Sequence, residues 1–311
     1  MKNIVTGGAG FIGSNLINRL SEMGEEVICI DNLQTSTISN IKKFANSNKF
    51  TFIKHNLQLP IEIKADRIWH LACPASPIHY QKNPIETSKT IYLGTKNMLE
   101  LANETGAKIL FASSSEIYGQ ASKFPQTEND YGYLDLNSKR TCYALGKKYA
   151  ESLCSDFKKI HNIELRVARI FNTYGPNLSP EDGRVISNFI CNSIMNKPLL
   201  LHGDGKQTRT FCYIDDCIDG LLKLMNSSYN NPVNIGGNQE INILNLSKRI
   251  SKKLSHYKVP IQVKKADNDP IRRKPDIKLA KKLLNWEPSV SLDEGLDKTI
   301  IYFKALLGKQ S

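Results

Sequence analysis

Short apolar runs alternate along this chain with longer segments in which apolar residues recur every three or four positions. The runs Asn3–Thr6, Glu26–Ile30, Phe50–Ile53, Arg67–Leu71, Lys108–Ala112, Leu165–Ile170 and Val233–Ile235 predict strands. Between them, Phe11–Met23, Ile85–Thr105 and Tyr143–His161 carry helical spacing. Strand and helix in alternation predict an α/β fold: a Rossmann-type doubly wound parallel sheet. The pattern changes after Asn172, where Gly175-Pro176-Asn177 and Pro180–Gly183 are turn signals. Residues 1–173 are expected to form the sheet domain, with 212–236 returning to it. Residues 174–211 and 237–311 are expected to form a smaller substrate lobe. Internal repeats and low-complexity segments are not evident.

An open parallel sheet binds ligands beyond the carboxyl ends of its strands. Two strand ends here carry chemistry. The first is Gly7-Gly8-Ala9-Gly10-Phe11-Ile12-Gly13, which comes after a strand and opens a helix. Glycines at 7, 10 and 13 allow a tight turn and let backbone N–H groups approach a pyrophosphate. The strand Glu26–Ile30 then ends in Asp31, 18 residues after Gly13. A carboxylate there accepts from a ribose diol and repels a 2′-phosphate, which favours NAD over NADP.

The second strand end is Lys108–Ala112, which runs into Ser113-Ser114-Ser115-Glu116. Tyr143 and Lys147 come later, four residues apart and so on one helical face. A free phenol has a pKa of roughly 10, and a nearby ammonium favours its anion. Bringing that pKa down by about three units corresponds to about 4 kcal/mol. On its own, Tyr-x-x-x-Lys is equally well a surface helix. After a dinucleotide fingerprint and a serine-rich strand end it reads as a base and its partner.

Bulk properties narrow the classes. The chain has 311 residues, 40% apolar and 23% charged, as in a globular enzyme with a large core. Its net charge of +12 could attract nucleic acid. The basic stretch Lys248–Lys282, however, is broken by Asp267, Asp269 and Asp276 and lacks paired aromatics for base stacking. An anionic nucleotide is the expected partner, not a nucleic acid. Seven scattered cysteines without a Cys-x-x-Cys argue against disulfides or zinc. Cys142, beside Tyr143, is expected to be a neutral bystander. The six histidines are dispersed, so no metal is expected. No apolar run is long enough to span a bilayer, so no membrane association is expected. Residues 1–6 lead straight into a strand, so a cytoplasmic protein is expected.

The motifs GGAGFIG (7–13), HLA (70–72), SSSEIYG (113–119), YxxxK (143–147) and RIFNTYGP (169–176) together resemble the extended short-chain dehydrogenase/reductase family over essentially the whole chain. The resemblance implies an NAD cofactor held by Gly7, Gly10, Phe11, Ile12, Gly13, Asp31, Asn32, Asn56, Leu57 and Leu71, with Tyr143 and Lys147. It implies that Tyr143 removes a sugar hydroxyl proton and that Lys147 holds the ribose and tunes the tyrosine. Ser114 matches a Ser or Thr that binds the reacting hydroxyl.

Members of the family differ in the step after oxidation. Sugar 4,6-dehydratases usually carry Asp-Glu where this chain has Ser115-Glu116, and simple 4-epimerases usually lack the acid. Ser-Glu is the pair of the members that decarboxylate UDP-linked uronates. The segments ACPASPIHY (72–80), DGRVISNFI (182–190) and DPIRRKPDIKLAKKLLNWEP (269–288) are similar to theirs. Ser115, Glu116 and Arg209 are then candidates for placing the carboxylate and handling the proton that replaces it. Asn172, Arg184, Asn188, Arg209, Tyr213 and Arg273 are implied substrate contacts, with Arg273 at the diphosphate. A homodimer through the helices 85–105 and 143–161 is also implied. The other readings are an epimerase or dehydratase and, in another class, a non-catalytic nucleotide-binding protein.

Three segments depart from the pattern. Relatives usually have Tyr-Asp-Glu-Gly-Lys where this chain has Tyr143-Ala144-Leu145-Gly146-Lys147. They usually have Asn at Ile91 and Asp at Asn56. The first two departures raise the expectation of altered chemistry at the site.

Overall fold

The computed structural model describes residues 1–254, 260–264 and 270–308. Asp267, Asp269 and His256 lie outside these. Six strands come first: β1 (Lys2–Thr6), β2 (Glu26–Asp31), β3 (Phe50–Lys54), β4 (Arg67–His70), β5 (Lys108–Ser114) and β6 (Leu165–Ile170). Shorter ones come next: β7 (Thr173–Tyr174), β8 (Leu199–His202), β9 (Thr208–Thr210) and β10 (Cys212–Tyr213). β11 (Pro232–Ile235), β12 (Glu240–Asn242), β13 (Ile261–Lys264) and β14 (Arg272–Arg273) complete the set. The helices are α1 (Phe11–Glu22), α2 (Pro77–Lys82), α3 (Pro84–Thr105), α4 (Thr141–His161), α5 (Val185–Ile194), α6 (Ile214–Asn226), α7 (Ile243–Lys253), α8 (Lys278–Leu284) and α9 (Leu292–Gly308).

The main sheet has seven strands in the order β11-β6-β5-β4-β1-β2-β3, all parallel. It is the Rossmann-type sheet that the alternating pattern predicts. The chain steps outward from β1 to β3, then returns to place β4 on the other side of β1. That reversal is the crevice where open α/β sheets bind ligands.

Both faces of the sheet are covered, which explains why its strands are apolar without alternation. Val5, Cys29, Trp69, Leu110 and Ala168 face one cluster with Leu16, Ile17 and Leu20 of α1 and Leu221 and Leu224 of α6. Ile4, Ile28, Ile68, Ile109 and Phe111 face the other, with Met98, Leu99 and Ala102 of α3 and Ala150 and Cys154 of α4. Burying one such side chain contributes about 1.5–3 kcal/mol. The first cluster runs on without a break into Phe189 of α5, Leu246 of α7 and Phe303 of α9. The later elements therefore dock on the sheet through one shared core.

Beyond the main sheet, β9 pairs antiparallel with β12 and parallel with β14. In that small sheet Arg273 is the register partner of Arg209.

Candidate active site

The glycine loop is fixed by close approach. Gly7 has φ +66°, in the left-handed region that favours glycine, and a Cβ there would lie 2.8 Å from the Ala72 Cα. A Cβ on Gly13 would meet the Gly7 carbonyl oxygen and stand 2.7 Å from the Gly8 Cα. Only a bare backbone fits, and that leaves the α1 N-terminus open to a phosphate. Asp31 ends β2 with its carboxylate beside this loop. It accepts from the Ala9 N–H at 3.0 Å, the Leu33 N–H at 2.8 Å and the Ser36 hydroxyl at 2.8 Å. A carboxylate has about four acceptor sites, so one stays available to a ribose hydroxyl. The residues present fit a dinucleotide.

Beside this loop opens a cavity of about 760 Å³, within the usual range for small-molecule sites. β5 delivers Ser114 to it, and α4 delivers Tyr143 and Lys147. Tyr143 stacks on Tyr80, with ring centroids 5.1 Å apart and planes 9° from parallel. Lys147 donates to the Ala112 carbonyl at 2.7 Å and lies 4.7 Å from the Phe111 ring centroid. Its ammonium is 6.0 Å from the Tyr143 ring. The sequence suggests that this lysine draws the phenol down directly, but the geometry differs. Burial pushes the Tyr143 pKa up, helped by neighbouring Cys73, while a hydrogen bond with Ser114 and the charge of Arg184 pull it down. Burial also lowers the pKa of Lys147. His70, behind them, bonds Thr6 and Thr95, and burial and then Lys147 depress it to about 3. It is a neutral core residue.

Glu116 sits in the short turn Ser115–Tyr118 directly after β5. Its N–H donates to the Ser114 hydroxyl at 3.3 Å. Arg140 closes a bidentate fork on its carboxylate, Nε to Oε2 at 3.0 Å and Nη2 to Oε1 at 2.8 Å. Arg273 adds a second cation at 3.5 Å and is itself tied to the carbonyls of Ser115 and Gly119 at 2.9 and 3.1 Å. Burial would raise the Glu116 pKa, but Arg140, Arg273 and Arg209 outweigh it and hold it at about 2. Glu116 is thus an anion at neutral pH. Arg273 meets Glu116 at the wall of the cavity.

Most of the expected residues border this one cavity. Gly7, Gly10, Phe11, Ile12, Gly13, Asp31, Asn32, Leu57 and Leu71 line the end beside the glycine loop. Ser114, Ser115, Glu116, Asn172, Arg184, Asn188, Arg209 and Arg273 line the rest. Asn56 and Tyr213 do not line it. Asn56 accepts from the Gln58 N–H in a turn, and Tyr213 is buried edge-on against Tyr174 beside α9. Ile91, Ala144 and Leu145 do not line it either. Two residues of the site escape the sequence reading: Tyr80, and Arg140 at the N-cap of α4. A signal for Arg140 exists in its place three residues before Tyr143, on the same helical face.

Comparison with known proteins agrees with this geometry. The family profile described as GDP-mannose 4,6 dehydratase matches residues 4–299. UDP-glucuronic acid decarboxylase 1 of Xenopus tropicalis is 44% identical over 308 residues, covering 99% of this chain and 73% of that one. UDP-glucuronic acid decarboxylase 6 of Arabidopsis thaliana is 44% identical over 312 residues, covering 99% and 90%. Among solved structures, UDP-glucuronic acid 4-epimerase from Bacillus cereus, in complex with UDP-glucuronic acid and NAD, superposes with a TM-score of 0.88 at 29% identity, covering 98% of this chain and all of that one. UDP-glucose 4-epimerase from Thermotoga maritima, with UDP-glucose, gives 0.89 at 28% identity, covering 99% and 100%. The chain belongs to the GDP-mannose 4,6 dehydratase family, within the extended short-chain dehydrogenases/reductases.

Proposed function

We propose that this protein is an NAD-dependent UDP-glucuronate decarboxylase that forms UDP-xylose. The observation that carries the reading is an ionised Glu116 among arginines at the end of β5, in a chain 44% identical to named decarboxylases along nearly its whole length.

Gly7, Gly10, Gly13 and Asp31 would hold the cofactor, with Lys147 at its second ribose. NAD, where bound, supplies the acceptor for a hydride from C4 of the sugar and returns it at the end. Tyr143 takes the C4 hydroxyl proton, and Ser114 orients that hydroxyl. The C4 ketone leaves the C5 carboxylate β to a carbonyl. The C5–C6 bond then breaks, carbon dioxide departs and its electron pair passes into an enolate on the C4 oxygen. Ser114 and protonated Tyr143 donate to that oxygen, a stabilisation that grows as the charge develops. Glu116, held as an anion, orients a water that gives C5 its proton, and a proton from solvent neutralises the hydroxide left behind. Tyr143 returns its proton to the C4 oxygen on re-reduction. Arg209, Asn172, Arg184 and Asn188 are proposed to hold the nucleotide and sugar.

The finer assignments belong to the same proposal. Seven free cysteines suit a reducing, cytoplasmic compartment. Tyr92, Leu145 and Tyr149, exposed on α3 and α4, suit a homodimer through these helices. Among the described residues no helix is long and apolar enough to cross a membrane. Residues 1–173 with 212–236 are taken as the sheet domain, and 174–211 with 237–311 as the substrate lobe.

Incubation with UDP-glucuronate and NAD is expected to release carbon dioxide and yield UDP-xylose by mass. A product of unchanged mass with an inverted C4 would make the protein a 4-epimerase instead.

A further inference from the structure

Hydrogen bonds join four residues at the cavity in a chain from Ser114 to Tyr143. The Glu116 N–H donates to the Ser114 hydroxyl at 3.3 Å. The Glu116 carboxylate accepts the Arg140 fork. The Arg140 carbonyl accepts from the N–H groups of Tyr143 at 3.2 Å and Ala144 at 3.0 Å, the first bonds of α4. Tyr143 and Ser114, at the two ends of this chain of bonds, both line the cavity. Arg140 is the member that joins the two sides. Its main chain starts the helix that aims Tyr143, and its side chain holds Glu116.

We infer that Arg140 is a positioning residue that registers the two halves of the reaction, fixing Glu116 on the C5 side of the sugar against Tyr143 on the C4 side. This rests on the decarboxylase reading. Oxidation at C4 needs Tyr143 and Ser114, whereas loss of the carboxylate and reprotonation at C5 need Glu116. Both must meet one sugar ring, and a misplacement of about 1 Å can cost on the order of 100-fold in rate. The groups facing Glu116 are Arg140 from the start of α4, Arg273 from β14, Arg209 from β9 and the Tyr143 phenol. Arg273 is anchored on Ser115 and Gly119, in the turn that carries Glu116 itself. Arg140 is anchored instead on the other half of the site, through its main-chain bond to Tyr143. Lysine could supply the charge but not the planar two-point fork.

The test is a double-mutant cycle on Arg140→Gln and Glu116→Gln, with Arg140→Lys as the conservative variant. Carbon dioxide release is measured beside single-turnover appearance of the reduced cofactor. Arg140→Gln is expected to slow carbon dioxide release about 100-fold, the loss of two charge-assisted bonds, with C4 oxidation within about fivefold. Arg140→Lys should recover about tenfold of that loss. In the Glu116→Gln background, Arg140→Gln should add less than about twofold. Multiplying effects in the cycle, or equal loss of oxidation and decarboxylation, would overturn the inference.

A substrate-free arm separates this from failure of the decarboxylase reading. Carboxyl-carbon NMR, with Glu116→Gln to identify the signal, should find Glu116 ionised well below the ordinary range. In Arg140→Gln its midpoint should rise by at least about one unit, the charge-assisted pairing being gone. An unchanged midpoint overturns the lock whatever the substrate proves to be. Absence of carbon dioxide from the wild-type protein overturns only the reading on which the sugar assignment rests.

Discussion

Ile91 and Gly146 meet across the seam between α3 and α4, with the Ile91 Cδ1 3.0 Å from where a Gly146 Cβ would stand. Ile91 is 1% exposed and Ala144 3% exposed, whereas Leu145 is 44% exposed. The departures at these positions therefore belong to helix packing and the outer face, not to the cavity. Restoring the common residue is expected to act on stability. Ile91→Asn should cost about 3 kcal/mol, from lost burial and an unpaired amide. Leu145→Glu should stay within about 0.5 kcal/mol in the monomer. Denaturant titrations of both variants check this.

The Gly13 approach to Gly7 gives a sharper outcome. Gly13→Ala forces a methyl into the glycine loop at an overpacking cost of about 1–3 kcal/mol. NAD binding is expected to weaken about tenfold to 100-fold, measured by quenching of protein fluorescence. Gly146→Ala, which meets the Ile91 side chain and not the glycine loop, should leave that affinity unchanged.

Tyr143 sets the acid limb of the pH profile. Its pKa is raised by burial, and in the proposed mechanism the active form is the phenolate, so turnover should climb as pH rises. Ser114 pulls that pKa down. Ser114→Ala should therefore move the limb to higher pH by about one unit, equivalent to about 1.4 kcal/mol. Tyr143→Phe should abolish the limb together with turnover and leave NAD affinity intact. A Ser114→Ala limb at lower pH would contradict the assignment.

Behind the site, Glu151 on α4 pairs with Arg169 on β6 at 2.8 Å and accepts from the Ser113 hydroxyl. Both charged side chains are 11% exposed. Glu151→Leu leaves a buried guanidinium without its carboxylate and should cost about 3–5 kcal/mol. Calorimetry on Glu151→Leu, with Arg169→Met/Glu151→Leu as the paired removal, should find the double variant more stable than the single one.

The strands are legible in the sequence because each is an apolar run of a length that only a covered parallel sheet buries, as in Ile4-Val5 and Ile109-Leu110-Phe111. Site residues borne on strand ends or helical spacing, such as Asp31, Glu116, Tyr143 and Lys147, stand out for the same reason. Arg140 does not, because it lies in a polar stretch whose partner is 24 residues earlier and meets it only when β5 and α4 pack. Tyr213 misleads in the opposite way: its neighbours in sequence reach the cavity, but its own ring turns into the core against Tyr174. Direction of a side chain, more than identity, is what the linear pattern leaves open.

The register of the small sheet has a consequence for how the protein holds itself together. Arg209 and Arg273 stand opposite each other on β9 and β14, and like charges in that relation push strands apart. Glu116, 3.5 Å from Arg273, supplies one compensating charge. An anionic ligand would supply more, so occupancy should tighten the seam between β9 and β14 itself. The lobe is then clamped by its own cargo: the negative charge it takes in serves as a rivet between the strands that receive it.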